Sequence, residues 1–316
     1  MELPINKIYQ GDALIELKKL PSESVDSCIT SPPYWTQRNY LVDGQIGIER
    51  TLKEYINKLC IIFDEIKRIL KKSGTCWVVI GDAYSGKMGK RQGWTDAKMG
   101  YGKQEAIDKG IALTKENKFE YTAPSKSLIM IPFYFALEMV NRGWILRNTL
   151  IWHKNNVMPT SAKDRFTIDF EYVFFFVKSK RYYFETQYEP VKKATIERNK
   201  YPHRGDGITA IGRARKPGEF MSKGEKRNKR AVWNINTKPR DFEGEHFATF
   251  PERLIEPMIN AGCPKEGIIL DPFFGSGTTG LVALKQNKQF IGIELNPNYV
   301  KIAEARIKPY LEQRKL

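Results

Sequence analysis

Residues 267–280 read GIILDPFFGSGTTG. An apolar run leads into Asp271-Pro272-Phe273, then a turn of small residues, then a stretch able to start a helix. Small residues at Gly275, Ser276 and Gly277 let the backbone approach a ligand closely, and a helix start near Thr278 offers free N–H groups. Nineteen residues past Gly275, Glu294 stands in the next apolar run, FIGIEL at 290–295. A carboxylate at the end of that strand can accept both hydroxyls of a ribose. Strand, glycine turn, helix, strand and acid together predict a nucleoside-containing cofactor. Gly275, Gly277 and Gly280 also fit the G-x-G-x-x-G dinucleotide pattern, which alone has many chance matches. Asp271 departs from a nicotinamide site, because it can face the amino end of an amino-acid-bearing nucleoside such as S-adenosylmethionine.

The same rhythm extends outward. Periodicity predicts helices at Thr278–Gln286 and Asn298–Ile307, and strands at Gly267–Leu270 and Phe290–Leu295. Toward the N-terminus, Ser24–Thr30 is β-prone. Thr51–Lys71 carries apolar residues at helical spacing, with Gly74 as the expected stop, and Thr75–Ile80 reads as a buried strand. Lys126–Arg142 predicts a helix ended by Gly143, while Ile145–Trp152 and Tyr172–Val177 are strand-like. Repeated strand–helix units predict an α/β fold, a Rossmann-like sheet with helices on both faces. Residues 85–125 break the rhythm. They are polar and hold Gly86, Gly89, Gly93, Gly100 and Gly102, as a loop insertion would.

Charge narrows the function. The chain has 316 residues, 41% hydrophobic and 28% charged, with a net charge of +16. Residues 191–240 carry fifteen basic and four acidic side chains, so this sixth of the chain supplies +11. Such concentration favours a phosphate-contacting segment over a merely solvated loop. No apolar run is long enough to span a membrane, and the N-terminus lacks a signal-peptide pattern, so a cytoplasmic protein without membrane attachment is expected. Cys28, Cys60, Cys76 and Cys263 form no Cys-x-x-Cys pair, and the three histidines lack ligand spacing, so no metal is expected.

Residues 30–40 read TSPPYWTQRNY. Two prolines hold the backbone extended and stiffen the carbonyls there. Ser31 adds a hydroxyl acceptor and Tyr34 a flat face. Acceptors beside an aromatic platform suit an exocyclic amine on a planar base, although Pro-Pro alone also ends a strand.

SPPY near the front and DPFFGSGTTG near the back together resemble the DNA amino-methyltransferases, in the permuted order of their beta class. Gly11-Asp12-Ala13-Leu14 resembles the family's early GD-x-L element, and Ile80-Gly81-Asp82 the end of a following strand. HFATFPERL at 246–254, with Val232-Trp233-Asn234-Ile235 leading to it, resembles the segment closing the methionine end of the cofactor site. The likeness covers about 1–184 and 231–307. It implies a catalytic domain of 1–184 and 246–316, with a target-recognition region at 185–245. It further implies S-adenosyl-L-methionine as cofactor and double-stranded DNA as substrate, with a cognate restriction endonuclease as functional partner. Ser31, Pro32, Pro33 and Tyr34 become the catalytic corner. Asp12, Phe250, Pro251, Asp271, Pro272, Phe273, Gly275, Ser276, Gly277, Thr278 and Glu294 become cofactor-binding. Trp35, Arg38, Lys192, Lys193, Arg213, Arg215, Arg227, Lys229 and Arg230 are the expected DNA contacts.

In this family serine before Pro-Pro-Tyr accompanies cytosine-N4 methylation, and Asp or Asn accompanies adenine-N6 methylation. Ser31 therefore points to N4-methylcytosine in a flipped-out base, with N6-methyladenine as the alternative. Methylation at cytosine C5 needs a thiolate, usually from a Pro-Cys pair, and Cys263 instead precedes Pro264. A nucleotide-linked oxidoreductase leaves SPPY and the basic stretch unexplained, and a non-catalytic DNA-binding protein gives no reason for the glycine turn.

Overall fold

The computed structural model describes residues 5–37, 40, 42–85, 120, 123–191, 194, 196–197, 226–237 and 250–313. In chain order the elements are β1 (Lys7–Gln10), α1 (Ala13–Lys19), β2 (Val25–Thr30), α2 (Leu52–Ile69), β3 (Leu70–Ile80), α3 (Ile131–Asn141), β4 (Ile145–His153), β5 (Phe170–Val177), β6 (Tyr188–Pro190), β7 (Lys226–Asn228), β8 (Val232–Asn234), α4 (Glu252–Gly262), β9 (Ile268–Asp271), α5 (Thr278–Lys285), β10 (Gln289–Glu294) and α6 (Pro297–Gln313). The chain divides into two compact units, Glu185–Ala231 and the remainder. The smaller unit pairs β6 with β7 antiparallel. Strand β8, inside the expected recognition region, belongs to the larger unit and pairs with β4.

The larger unit is built on an eight-stranded sheet in the order β1-β10-β9-β2-β3-β5-β4-β8. Only β5 runs against the others. Alternation along the strands makes two apolar faces. Cys76, Val78 and Ile80 of β3 share one core with the buried faces of α1, α2 and α3. Trp77 and Thr75 point the other way and meet Gly262 of α4. The polar residues of the fully buried β2 are all paired. Asp26 takes Lys71 Nζ and Ile268 N–H, Ser27 meets Thr75 Oγ1, and Thr30 reaches Asp271.

Two expected boundaries shift. α2 starts on a capping box between Thr51 and Glu54, as its sequence allows. It ends at Ile69, and buried Leu70 runs directly into β3, so Gly74 lies within the strand and is not the stop. A side chain at Gly74 would meet Lys71 O at 2.9 Å. Lys178 Nζ caps the helix end through Lys67 O and Leu70 O. α3 begins at Ile131, five residues later than its periodicity predicts. Lys126 and Met130 have φ of 70° and 63°, outside helical space, and Pro132 sets the first turn. β1, α1 and α4 had no expectation from periodicity. Of the 85–125 insertion, residues 86–119 and 121–122 lie outside the described residues.

Ligands of such sheets bind at the carboxyl ends of the strands, where successive connections leave on opposite faces. Here that point lies between β9, whose helix α5 covers one face, and β2, whose chain proceeds to α2 on the other.

Candidate active-site cleft

At that switch point the two predicted corners meet. Thr30 Oγ1 donates to Asp271 Oδ1 at 2.7 Å across 241 positions of sequence. Above this joint opens a cleft of about 850 Å³, mouth included, lined by both corners. Ser31 and Pro33 come from the front of the chain, and Pro272, Phe273, Gly275, Ser276 and Glu294 from the back. Gly11, Asp12 and Ala13 complete one wall.

The glycine corner is held from below. Gly277, with φ of 81°, begins α5, and a Cβ there would lie 2.9 Å from Ala303 Cβ. Phe274 is the core ring of the pair, stacked on Phe290, which leaves Phe273 for the cleft. Arg306 Nη1 donates to Ser276 O at 2.5 Å and to Ser276 Oγ at 2.7 Å, clamping the turn. Glu294 lines the cleft and also braces the turn: Oε2 accepts from Gly275 N–H and Oε1 from Asn296 N–H. Each carboxylate oxygen keeps a lone pair for a ligand. Burial, then the nearby Asp271 charge, hold the Glu294 carboxyl above its ordinary range. Asp12 caps α1 through Ile15 N–H while facing the cleft.

Asp271 differs from expectation. It is 1% exposed and lies behind the lining. Oδ1 accepts from Thr30 Oγ1 and Phe273 N–H, and Oδ2 from Thr279 Oγ1. Burial pushes its carboxyl up to about 6 against these hydrogen bonds. Its geometry is that of a joint between corners, not of a contact to a ligand amine. Gly277 and Thr278 likewise support the turn from beneath. Phe250 and Pro251 are not in the lining, because Pro251 is buried at the start of α4.

At the proline corner, Pro33 O accepts from the Tyr55 hydroxyl at 2.9 Å. Tyr34 is half-buried; its hydroxyl donates to Glu171 Oε2 at 2.5 Å and lies 3.4 Å from Ser31 Oγ. Trp35 corrects an expectation. Its indole is fully buried, 6.4 Å from the Tyr55 ring, and donates to Glu49 O, so it offers no surface to DNA. In the smaller unit Arg227 and Arg230 share the carboxylate of Glu189, and Lys229 is exposed. Arg38, Lys192, Lys193, Arg213 and Arg215 lie outside the described residues.

Sequence reading missed the wall made by Tyr40, Val42, Gly44, Gln45 and Ile46, and that made by Leu295, Asn296 and Tyr299. It also missed Glu171, Lys154 and Arg306. Only the position of Tyr40 beside SPPY and of Asn296 beside Glu294 carried a signal.

The lining includes two carboxylates, Asp12 and Glu294, and among the described residues no Lys or Arg. A pyrophosphate would meet like charge there, whereas a hydroxyl-bearing, cationic nucleoside finds acceptors. The residues present therefore fit S-adenosylmethionine better than a dinucleotide. Among the described residues, no group of three or more His, Cys, Asp or Glu could hold a metal, and no helix is long and apolar enough to cross a membrane.

Comparison with known proteins agrees with this geometry. The family model described as DNA methylase, covering the N6 and N4 enzymes, matches residues 25–305. The chain is 39% identical to the Type II methyltransferase M.Cfr9I of Citrobacter freundii over 98% of its own length and 89% of the relative's. It is 37% identical to M.SmaI of Serratia marcescens, with 95% and 90% covered. Among solved structures, the PvuII cytosine-N4-specific DNA methyltransferase superposes with a TM-score of 0.62 at 18% identity, covering 98% of this chain and 91% of that one. A DNA modification methylase of Thermus thermophilus, TTHA0409, solved with S-adenosyl-L-methionine, gives 0.57 at 21% identity, with 96% and 93% covered.

Proposed function

The chain belongs to the N6/N4 DNA methylase family, and from the corner built around Ser31 we propose that it methylates the exocyclic N4 of cytosine in a short duplex site. It is a DNA methyltransferase that uses S-adenosylmethionine, of the Type II restriction-modification class. The observation that carries the finer reading is the Thr30–Asp271 bond, which sets a Ser-Pro-Pro-Tyr corner and an acid-lined nucleoside cleft side by side. The PvuII enzyme, named as cytosine-N4-specific, has the same fold.

When bound, the cofactor supplies an electrophilic methyl group that an amine nitrogen can take by direct displacement. The chain's own residues prepare that nitrogen. Its lone pair is delocalised into the ring, so it is a poor nucleophile. Ser31 Oγ and the Pro32 carbonyl accept its two hydrogens, favour a pyramidal geometry and stabilise the positive charge that develops. Asp12 and Glu294 hold the nucleoside end of the cofactor, and Phe273 packs along it. The target must leave the duplex, at a cost of a few kcal/mol. Stacking on the Tyr34 face offsets roughly 1–3 kcal/mol of that. The basic 185–245 region contacts phosphates and reads the site. A restriction endonuclease cutting the same site is the functional partner.

Digestion of DNA treated with the enzyme, followed by mass spectrometry of the nucleosides, tests the target. N4-methylcytosine is expected; N6-methyladenine in its place overturns the cytosine assignment. Ser31→Ala should abolish most transfer with S-adenosylhomocysteine affinity retained, and full activity in that variant rejects the corner as the amine site.

A further inference from the structure

β5 reads FEYVFFFV and is buried from Val173 onward. Glu171 is thus an acid at the start of a strand made for the core. It pairs with Trp152 of β4, one residue before Tyr172, which faces Ile80 at the carboxyl end of β3. That register brings Glu171 to the sheet edge where Ser31 stands. Both of its oxygens are engaged: Oε1 accepts from Lys154 Nζ, and Oε2 from the Tyr34 hydroxyl at 2.5 Å. Lys154 and Glu171 are 15% and 20% exposed, and Lys154 also lies 4.2 Å from the Trp152 ring centroid. The pair is thereby shielded from water, where charge-assisted hydrogen bonds are strong.

The consequence follows from counting protons. A phenol has one, and so does a serine hydroxyl. With its proton committed to Glu171, Tyr34 can only accept from Ser31, whose Oγ lies 3.4 Å away. The Ser31 proton then turns toward Tyr34, and the Oγ lone pairs face the cleft. Without Glu171 the phenol can donate to Ser31 instead, and the Ser31 proton turns toward the cleft, against an amine's own hydrogens. Burial, then the Glu171 charge, push the Tyr34 phenol well above its ordinary range, so it remains a donor. The ring is also backed by Gly81, where a Cβ would lie 2.9 Å from Tyr34 Cε2.

We propose that Glu171, held by Lys154, is a positioning residue for methyl transfer: by taking the Tyr34 proton it makes Ser31 Oγ an acceptor aimed at the target amine. This rests on the amino-methyltransferase reading of the cleft. Single-turnover methylation by the wild-type chain checks that reading in the same assay. Glu171→Gln and Tyr34→Phe should each slow transfer roughly tenfold or more, and the double variant should be no slower than the slower single, because both break one chain. Calorimetric affinity for S-adenosylhomocysteine should be unchanged in all three. Lys154→Met removes the cation beside Glu171, so the acid limb of the pH–rate profile should move to higher pH. Glu171→Gln at the wild-type rate, losses that multiply in the double variant, or an unmoved acid limb in Lys154→Met each overturn the positioning role while leaving the cleft assignment intact. A wild-type chain that transfers no methyl group overturns both. If Glu171→Gln fails to fold, the Lys154→Met profile decides.

Discussion

Asp271→Asn tests whether the joint between the corners is a strained carboxylate. Asn keeps the shape: its oxygen can accept from Thr30 and Phe273, and its NH₂ can donate to Thr279 Oγ1 once that hydroxyl turns. What it removes is the charge. In the wild-type chain burial raises the Asp271 carboxyl from 3.8 to about 6. Between those values the folded state holds a proton that the unfolded state has released, so stability falls as pH rises through this window. A difference of 2.2 units at 1.36 kcal/mol each is about 3 kcal/mol in all. Roughly 2 kcal/mol of this falls between pH 4.5 and 7.5. Any constant cost of rearranging the three hydrogen bonds cancels when the two proteins are compared across pH. Denaturant unfolding of both at several pH values should therefore show Asp271→Asn gaining on the wild type by about 2 kcal/mol from pH 4.5 to 7.5. Parallel curves would refute the argument, because they would mean Asp271 titrates as an ordinary carboxylate.

Three further outcomes follow from single contacts. Trp35→Phe should cost about 2 kcal/mol of stability through the lost bond to Glu49 O and the space left by the indole. Its DNA affinity should not change, and a selective loss of DNA binding at full stability would return Trp35 to the interface. Gly277→Ala should destabilise by about 2 kcal/mol or more, from the left-handed backbone and the crowding against Ala303, with S-adenosylhomocysteine binding lost alongside; a wild-type melting temperature contradicts it. Glu294→Gln sets an NH₂ against the N–H of Gly275 or Asn296 and should weaken S-adenosylhomocysteine roughly tenfold or more by calorimetry. Unchanged affinity would exclude Glu294 from the ribose site.

Local chemistry was legible where it repeats or is sharply patterned. The glycine turn, Glu294 and the amphipathic face of α2 all lie within short windows, and each ends up where its pattern implies. Partners distant in sequence were not legible. Thr30 looks like a β-branched strand residue, and nothing near it names Asp271. Glu171 is hidden in an aromatic strand whose composition announces only a core. Trp35 was misplaced because its neighbours in sequence face a cleft, whereas its own ring turns inward to Tyr55. Gly74 and Met130 fail for a different reason. Their backbone states are set by Leu70 entering the sheet and by Asp82, which accepts from Met130 N–H and Ile131 N–H at the start of α3.

The permuted order of the chain bears on how the site is assembled. Ser27 and Cys28 of β2 lie beside Ile269 and Leu270 of β9, so chemistry needs only that these two strand ends flank the switch point. Sequence order decides when that happens. Among the described residues β10 is the one neighbour of β1, and the β9–α5–β10 unit stands between β1 and β2. Until that unit docks, β1 has no strand to pair with and Thr30 has no acceptor. Contacts this remote meet the full entropy of loop closure and form slowly. The cleft therefore exists only in a chain whose two ends have joined one sheet, and affinity for S-adenosylhomocysteine reports that closure as much as any single contact. A lowered affinity assigns a residue to the lining only when the joint is intact. Asp271→Asn alters the joint and Glu294→Gln alters the lining. A variant like the first should lose affinity in proportion to lost stability, and one like the second should lose it at constant stability.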